Sequence, residues 1–301
     1  MTKIINIGSI NIDYVYAVPH FLRAGETLAA NERAIFAGGK GLNQSVALAL
    51  AGGDVTHAGM IGHDGLQAMK FLKNKGVDIR FIKQSKIPTG HTIIQVVPEG
   101  QNCILLYPGA NREIDENFVD ETLSHAHSGD ILLLQNEVSC TAYAMEEAHK
   151  KGIRIAFNPS PMDAKIMQFP LELVTWFLLN EIEGNALTGQ TAPAEILSAM
   201  SETYPDATTV LTLGEHGVLC FDKGRVYQQE AYKVNAVDTT AAGDTFTGYF
   251  IRAIAAGEGV AEALVLASRA AAITVSRQGA AASIPTMEEV LDAIEREMRA
   301  R

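Results

Sequence analysis

A chain of 301 residues, 47% of them hydrophobic, is long enough to bury a substantial core, either as one large α/β domain or as two small ones. Its 24 basic and 35 acidic residues leave a formal charge of −11 with no Lys/Arg-rich block, the opposite of what a surface that tracks nucleic-acid phosphates needs. The three cysteines, Cys103, Cys140 and Cys220, are scattered without Cys-x-x-Cys or Cys/His spacing, so they offer neither a disulfide framework nor a zinc site and fit a reducing cytosol.

The opening Met-Thr-Lys-Ile-Ile-Asn-Ile-Gly lacks the apolar region and cleavage site of a signal peptide and reads as a first strand, Ile4–Ile7. Further apolar runs of strand length follow at Val55–Ile61, Ile131–Leu134, Ile153–Phe157, Trp176–Leu179 and Val210–Leu213. Between and after them, Leu42–Leu50, Gly65–Lys75, Asn117–His125, Thr141–Lys151, Ala192–Thr203, Asp244–Ala256, Val260–Val275 and Met287–Met298 carry helical periodicity. Strands that are apolar almost throughout are covered on both faces, which predicts a three-layer α/β/α fold around a mostly parallel sheet. The most apolar later segment, Ala263–Val275, is interrupted by Ser268 and Arg269 and is too short to span a bilayer, so no membrane association is expected. No repeat or linker divides the chain, and one domain over residues 1–301 is expected.

Two stretches break the alternation. Tyr14–Val18 with Thr27–Phe36, and Gly90–Val97 with Cys103–Tyr107, mix β-branched, aromatic and polar residues as half-exposed strands do, and Pro98–Asn102 makes a hairpin connection. They predict a small separate β-sheet built from about 14–36 and 90–107. Apolar positions on it such as Ile93, Ile104 and Leu106 suit a contact between two copies of the chain.

Polar residues or glycines end nearly every apolar run: Gly8 to Asp13, Gln135-Asn136-Glu137, Asn158, Asn180 and Gly214. In an open parallel sheet ligands bind at the carboxyl ends of the strands, so these residues collect where a site belongs. Asn11 and Asp13, two apart, point the same way and can exchange hydrogen bonds with vicinal hydroxyls; two turn-formers at a strand end is the plain alternative. Ala37-Gly-Gly-Lys-Gly-Leu-Asn43 opens a helix with glycines that let a ligand approach the backbone, a lysine donor and an asparagine in the first turn. It is neither Gly-x-Gly-x-x-Gly nor a Walker loop, which speaks against a nicotinamide-dependent oxidoreductase. In Asn180-Glu-Ile-Glu183, the two glutamates read by themselves as first-turn acids facing a helix dipole. The most informative stretch is Val237-Asp-Thr-Thr-Ala-Ala-Gly-Asp-Thr-Phe-Thr-Gly248. Small residues ahead of a helix leave amides bare as an oxyanion cradle, with a carboxylate, Asp244, in the first turn to take a proton.

That stretch resembles the Asp-Thr-x-x-Gly-Asp signature of the ribokinase-like (PfkB) carbohydrate kinases, and Ala37–Asn43 running on to Gly59-Met-Ile-Gly62 resembles their N-terminal signature. The resemblance spans Ile4 to about Pro285. It implies an ATP-dependent kinase that phosphorylates the primary hydroxyl of D-ribose or a close relative. The alternative is another sugar or nucleoside kinase of the family (deoxyribose, ketohexose, adenosine-like), and a non-catalytic sugar-binding protein on the same fold is disfavoured by the intact Asp244, Asn180 and Glu183. Asp244 would be the base and Ala241, Ala242, Gly243 and Asp244 the anion hole. Asn11, Asp13, Gly38, Gly39, Lys40, Asn43 and Glu137 would hold the sugar. Nucleotide binding would fall to Asn180, Thr212, Gly214, Gly217, Gly243 and Ser268, where Ser268 replaces a histidine some members carry. Glu183 would hold Mg²⁺ through water, and K⁺ would sit among the carbonyls of Thr240, Thr274, Arg277 and Gly279 and the side chains of Asp238 and Ser283. A lid formed by the small sheet, a homodimer through that lid, and a cytoplasmic location complete what the resemblance implies.

Overall fold

The computed structural model describes residues 2–300. In chain order its first half runs β1 (Ile4–Ile7), β2 (Asn11–Ala17), β3 (Glu32–Gly38), α1 (Lys40–Leu50), β4 (Val55–Ile61), α2 (Leu66–Asn74), β5 (Asp78–Gln84), β6 (Gly90–Val96), β7 (Asn102–Tyr107) and α3 (Glu116–Leu123). The second half runs β8 (Ile131–Gln135), α4 (Thr141–Lys150), β9 (Arg154–Asn158), β10 (Trp176–Asn180), α5 (Glu181–Thr188), α6 (Pro193–Thr203), β11 (Thr208–Thr212), β12 (Val218–Asp222), β13 (Arg225–Gln229), α7 (Ala242–Ala255), α8 (Val260–Val275) and α9 (Met287–Ala300).

Nine strands form one sheet in the order β13-β12-β11-β10-β9-β8-β1-β4-β5. It is parallel from β5 to β11, and only the β11–β12 and β12–β13 pairings are antiparallel. Period-two alternation sends Ile4, Ile131 and Leu133 into one core with Leu42 and Val46 of α1, Tyr249 and Phe250 of α7 and Ala267 of α8. Ile5, Ile7, Leu132 and Leu134 enter a second core, on the opposite face, with α3, α4 and α6. Both faces are therefore buried, as the apolar strands require.

The remaining strands form a separate four-stranded sheet, β3-β2-β6-β7. Its register corrects the expected boundaries. The strand expected at Tyr14–Val18 begins at Asn11, and the one expected at Thr27–Phe36 is Glu32–Gly38, so Asn11, Asp13 and Gly38 are lid residues themselves, with Asn11 opposite Gly38. Three main-sheet strands carry too little apolar pattern to stand out. β5 is an edge strand whose Asp78, Arg80 and Lys83 are charged, and β12 with β13 form the antiparallel edge beyond β11.

Helix α7 crosses α1 closely because Gly248 has no side chain. A Cβ there would lie 2.4 Å from the Ala47 Cβ and 2.9 Å from the Leu48 nitrogen. Gly257, at φ +83°, ends the helix by turning its N–H onto the Ile254 carbonyl (3.0 Å). This crossing brings the first turn of α7 beside the first turn of α1, above the carboxyl ends of β8 to β11.

Candidate active site

A pocket of about 240 Å³ opens there, lined by Lys40, Asn158, Ser160, Asn180, Glu183 and Thr212 on the strand side and by Thr239 and Ala241–Asp244 on the helix side. Asp244 is buried, and both carboxylate oxygens accept hydrogen bonds, Oδ2 from Asn43 Nδ2 and Oδ1 from Gln44 Nε2, each at 2.9 Å. Ala241 precedes α7 in the left-handed region, φ 62°, a conformation that costs an alanine about 1–2 kcal/mol and that a functional turn can hold. The amide of Ala242 turns back to the Thr239 carbonyl at 3.3 Å. Those of Gly243 and Asp244 have no carbonyl one turn back within the helix, and a Cβ on Gly243 would meet nothing within 4 Å, so a ligand can reach this backbone.

Lys40 joins this pocket to the lid. Burial opposes its charge, but the carboxylates of Asp244, Glu137 and Glu183 outweigh burial and raise the ammonium above its ordinary pKa. Its backbone N–H donates to Glu137 Oε2 (2.9 Å), as does the Ser9 hydroxyl. Burial raises the Glu137 carboxyl, with Ser9 and Lys40 pulling the other way. Asn11 is fixed by Asn111, whose Nδ2 donates to Asn11 Oδ1 at 2.8 Å. Gly38 and Gly90 make room: a Cβ would fall 1.8 Å from Asp13 Oδ2 at Gly38 and 2.3 Å from Asn11 Oδ1 at Gly90.

Asp13 is raised by burial, and the hydrogen bond from the Thr92 hydroxyl holds it back only partly. An ionised carboxylate accepts from sugar hydroxyls and a protonated one has lost that capacity on one oxygen. If Asp13 accepts from a hydroxylated ligand such as the expected sugar, affinity for that ligand should fall as pH decreases through a value above the ordinary 3.8. Calorimetric titration from neutral to acid pH checks this: Asp13→Asn should flatten the Asp13 contribution, and an affinity constant down to pH 3.8 in the unaltered protein would contradict it.

Residues 1–287 match the family model described as pfkB family carbohydrate kinase. The chain belongs to that family. It is 37% identical over 301 residues to the ribokinase of Haemophilus influenzae, covering 96% of this chain and 97% of that one. Among solved structures, the Cryptococcus neoformans ribokinase in complex with ADP superposes with a TM-score of 0.87 at 32% identity, covering 97% and 100% of the two chains. The Arabidopsis thaliana ribokinase complexed with ribose and ATP gives a TM-score of 0.87 at 29% identity, covering 97% and 98%. This pfkB kinase is thus an enzyme of the class that transfers phosphate to a hydroxyl.

Of the other expected site residues, Asn180, Glu183 and Thr212 line the pocket and the rest lie outside its lining. Asn180 caps α5 in a reciprocal box: its Oδ1 accepts from the Glu183 N–H (2.9 Å), while Glu183 accepts from the Asn180 N–H (2.9 Å) and Nδ2 (3.1 Å). Each Glu183 oxygen keeps a lone pair beyond these bonds, so the carboxylate can still accept from a water of a hydrated Mg²⁺. Thr212 lines the pocket, while Gly214 and Gly217 lie in the turn beyond it and Ser268 lies on α8.

The segment around Asp238 packs on the end of α8. Asp238 accepts from the amides of Thr240 (2.9 Å) and Gly279 (3.0 Å), the Asp238 N–H reaches the Val275 carbonyl (3.2 Å), and the Arg277 N–H donates to the Thr274 carbonyl (3.1 Å). Ser283 donates to the Ala280 carbonyl (2.7 Å). Asp238 thus ties the segment before α7 to the one after α8, the two segments that carry the expected cation ligands. Among the described residues no cluster of three or more His, Cys, Asp or Glu could hold a metal ion, so a ligand set here would be chiefly backbone. Sequence reasoning did not assign Ser9, Gln44, Thr92, Asn111 or Ser160, and flagged Asn158 only as a strand end.

Proposed function

We propose that this chain transfers the γ-phosphoryl group of ATP to the primary hydroxyl of D-ribose or a close relative, giving the 5-phosphate. The observation that carries this reading is the buried Asp244 carboxylate at the tip of α7, next to the free first-turn amides and across Lys40 from Asn11, Asp13 and Glu137. Asp244 takes the proton from the hydroxyl as it attacks. In the Ala241–Asp244 turn the amides of Gly243 and Asp244, which have no backbone partner, face the charge on the transferring group, and Lys40 adds a fixed positive charge. Asn11, Asp13, Gly38, Gly39, Lys40, Asn43 and Glu137 orient the sugar. Such positioning is most of the work in phosphoryl transfer.

Thr212, Gly214, Gly217 and Ser268 border the path of the nucleotide, with Asn180 at its phosphates. Mg²⁺, held through water by Glu183, supplies charge neutralisation of the phosphates when bound. The carbonyls of Thr240, Thr274, Arg277 and Gly279 with Asp238 and Ser283 would hold K⁺, whose charge would stiffen the loop that feeds the anion hole. The chain works as one domain over residues 1–301, its lid of about 14–36 and 90–107 closing on the sugar to exclude water.

A coupled ADP-release assay over D-ribose, deoxyribose, fructose, tagatose and adenosine tests the reading. D-ribose is expected to give the highest kcat/KM, and replacing K⁺ by tetramethylammonium to lower turnover. Preference for another substrate would overturn the ribose assignment, and turnover indifferent to the cation would remove the K⁺ site.

We also infer a homodimer through the lid and a cytoplasmic location. The described chain has no helix long and apolar enough to cross a membrane. Ile93, Ile104, Leu105 and Leu106 are exposed on β6 and β7, with Leu105 at 67%. Sedimentation should give a dimer that Ile104→Glu with Leu106→Glu converts to monomer; a monomer before substitution would contradict it.

A further inference from the structure

Behind the base, on the α1 and α7 face of the sheet, lies a string of buried polar side chains that the mechanism above does not use. Asn6 and His57 are opposite one another on β1 and β4, Gln135 ends β8, and Gln44 and Ser45 belong to α1; all are buried, at 1% exposure or less. Groups so placed pair where they can: Gln135 Oε1 and His57 Nε2 are left without a partner, and the bonds the string does make have a direction.

The direction is set at both ends by atoms that can only accept. Asn6 Nδ2 donates to the Gly41 carbonyl and to Ser45 Oγ, each at 2.8 Å, so Asn6 Oδ1 must accept, and it does, from Gln135 Nε2 at 3.1 Å. The same Gln135 nitrogen donates to Gln44 Oε1 at 2.7 Å. Gln44 Nε2 then has two hydrogens to place, and they go to Asn158 Oδ1 (3.2 Å) and Asp244 Oδ1 (2.9 Å). Asn158 cannot turn over, because its own Nδ2 donates to the Leu178 carbonyl at 2.8 Å. A flipped Gln44 would set two amide nitrogens against each other at Gln135 and an oxygen against the carboxylate. Beside the string, Ser45 Oγ lies 2.8 Å from Nδ1 of His57, which burial pushes down to about 4 and so keeps neutral.

We propose that Gln44, locked by Gln135 and Asn6, is a positioning residue that fixes the Asp244 carboxylate as a two-oxygen acceptor with its base oxygen aimed into the pocket. This rests on the reading of Asp244 as the base. Neither Gln135 nor Asn6 lines the pocket; Gln135 acts on turnover through Gln44, whereas Asn6 also holds the Gly41 carbonyl in the first turn of α1, so the test uses Gln135.

The test is a double-mutant cycle on the full-length kinase, with kcat and both KM values read by coupled ADP release. Gln44→Met and Gln135→Met keep the volume and remove the donors. Each is expected to lower kcat about tenfold, the rate equivalent of one ordinary coupling between contacting residues, while the KM values for sugar and ATP stay within about twofold. In an Asp244→Asn background each should change the residual rate by less than about twofold, since the carboxylate they serve is gone. A general loosening of the fold would lower the rate by the same factor in both backgrounds, and that result would overturn this inference alone. Gln135→Met, one bond further from the pocket, carries the test if Gln44→Met does not fold. Failure of both to fold under conditions where Asp244→Asn does would assign the string to stability and overturn the proposal. Near-normal turnover in Asp244→Asn by itself would remove the base reading as well.

Discussion

Asp244→Asn is expected to lower kcat by about a hundredfold or more while sugar binding survives. The substitution keeps the shape and one acceptor oxygen, so Asn43 Nδ2 or Gln44 Nε2 retains a partner and the first turn of α7 stays in place. What it removes is the carboxylate that, among the described residues at the helix tip, is proposed to accept the hydroxyl proton. Loss of general-base catalysis is worth on the order of 10² to 10⁴ in rate, and the anion hole and Lys40 would sustain the remainder. Single-turnover kinetics with calorimetric sugar binding separates the two effects. A variant with near-normal turnover, or one whose loss lay wholly in KM, would contradict the assigned role.

Gly248→Val is the second substitution with a large expected effect, and it acts on the scaffold. The new Cβ would fall 2.4 Å from that of Ala47 and 2.9 Å from the Leu48 nitrogen, and a helix backbone has little freedom to retreat. Overpacking of this kind costs about 1–3 kcal/mol, against which the small gain in helix propensity of valine over glycine counts for little. Urea unfolding should show a lower midpoint at unchanged slope. The folded fraction should also lose turnover, because the α1–α7 contact sets the distances from Asn43 and Gln44 to Asp244. An unchanged midpoint with unchanged turnover would refute the close-crossing argument.

Much of the fold was legible because each buried strand is apolar on both faces. β4 and α8 lie where periodicity put them, and the other main-sheet strands expected from the sequence lie within two residues at each end. The strands that escaped, β5, β12 and β13, are partly exposed and carry charge, so neither of the patterns that mark buried or half-buried strands is clean in them. The site was legible where polar residues end apolar strands, as at Asn158 and Asn180, and where glycines cluster. It was not legible at Gln44, Ser45, Asn6 and His57, which sit inside elements and look locally like incidental polar residues. A usable signal was present: a polar side chain in a helix or strand apolar all round must find a partner. Which partner, and in which direction the amide points, depends on β1, β4, β8 and α1 meeting in space, which no local pattern encodes.

The central claim is that the first turn of α7 brings an acid and bare amides to one point opposite the sugar held by β2 and the start of α1. A crystal structure with a non-hydrolysable ATP analogue and D-ribose measures this most directly. The expected result places the terminal phosphate against the amides of Ala241 to Asp244 and the primary hydroxyl within hydrogen-bond reach, about 3 Å, of the Asp244 carboxylate. A phosphate bound away from that helix tip, or a sugar whose primary hydroxyl points elsewhere, would contradict it.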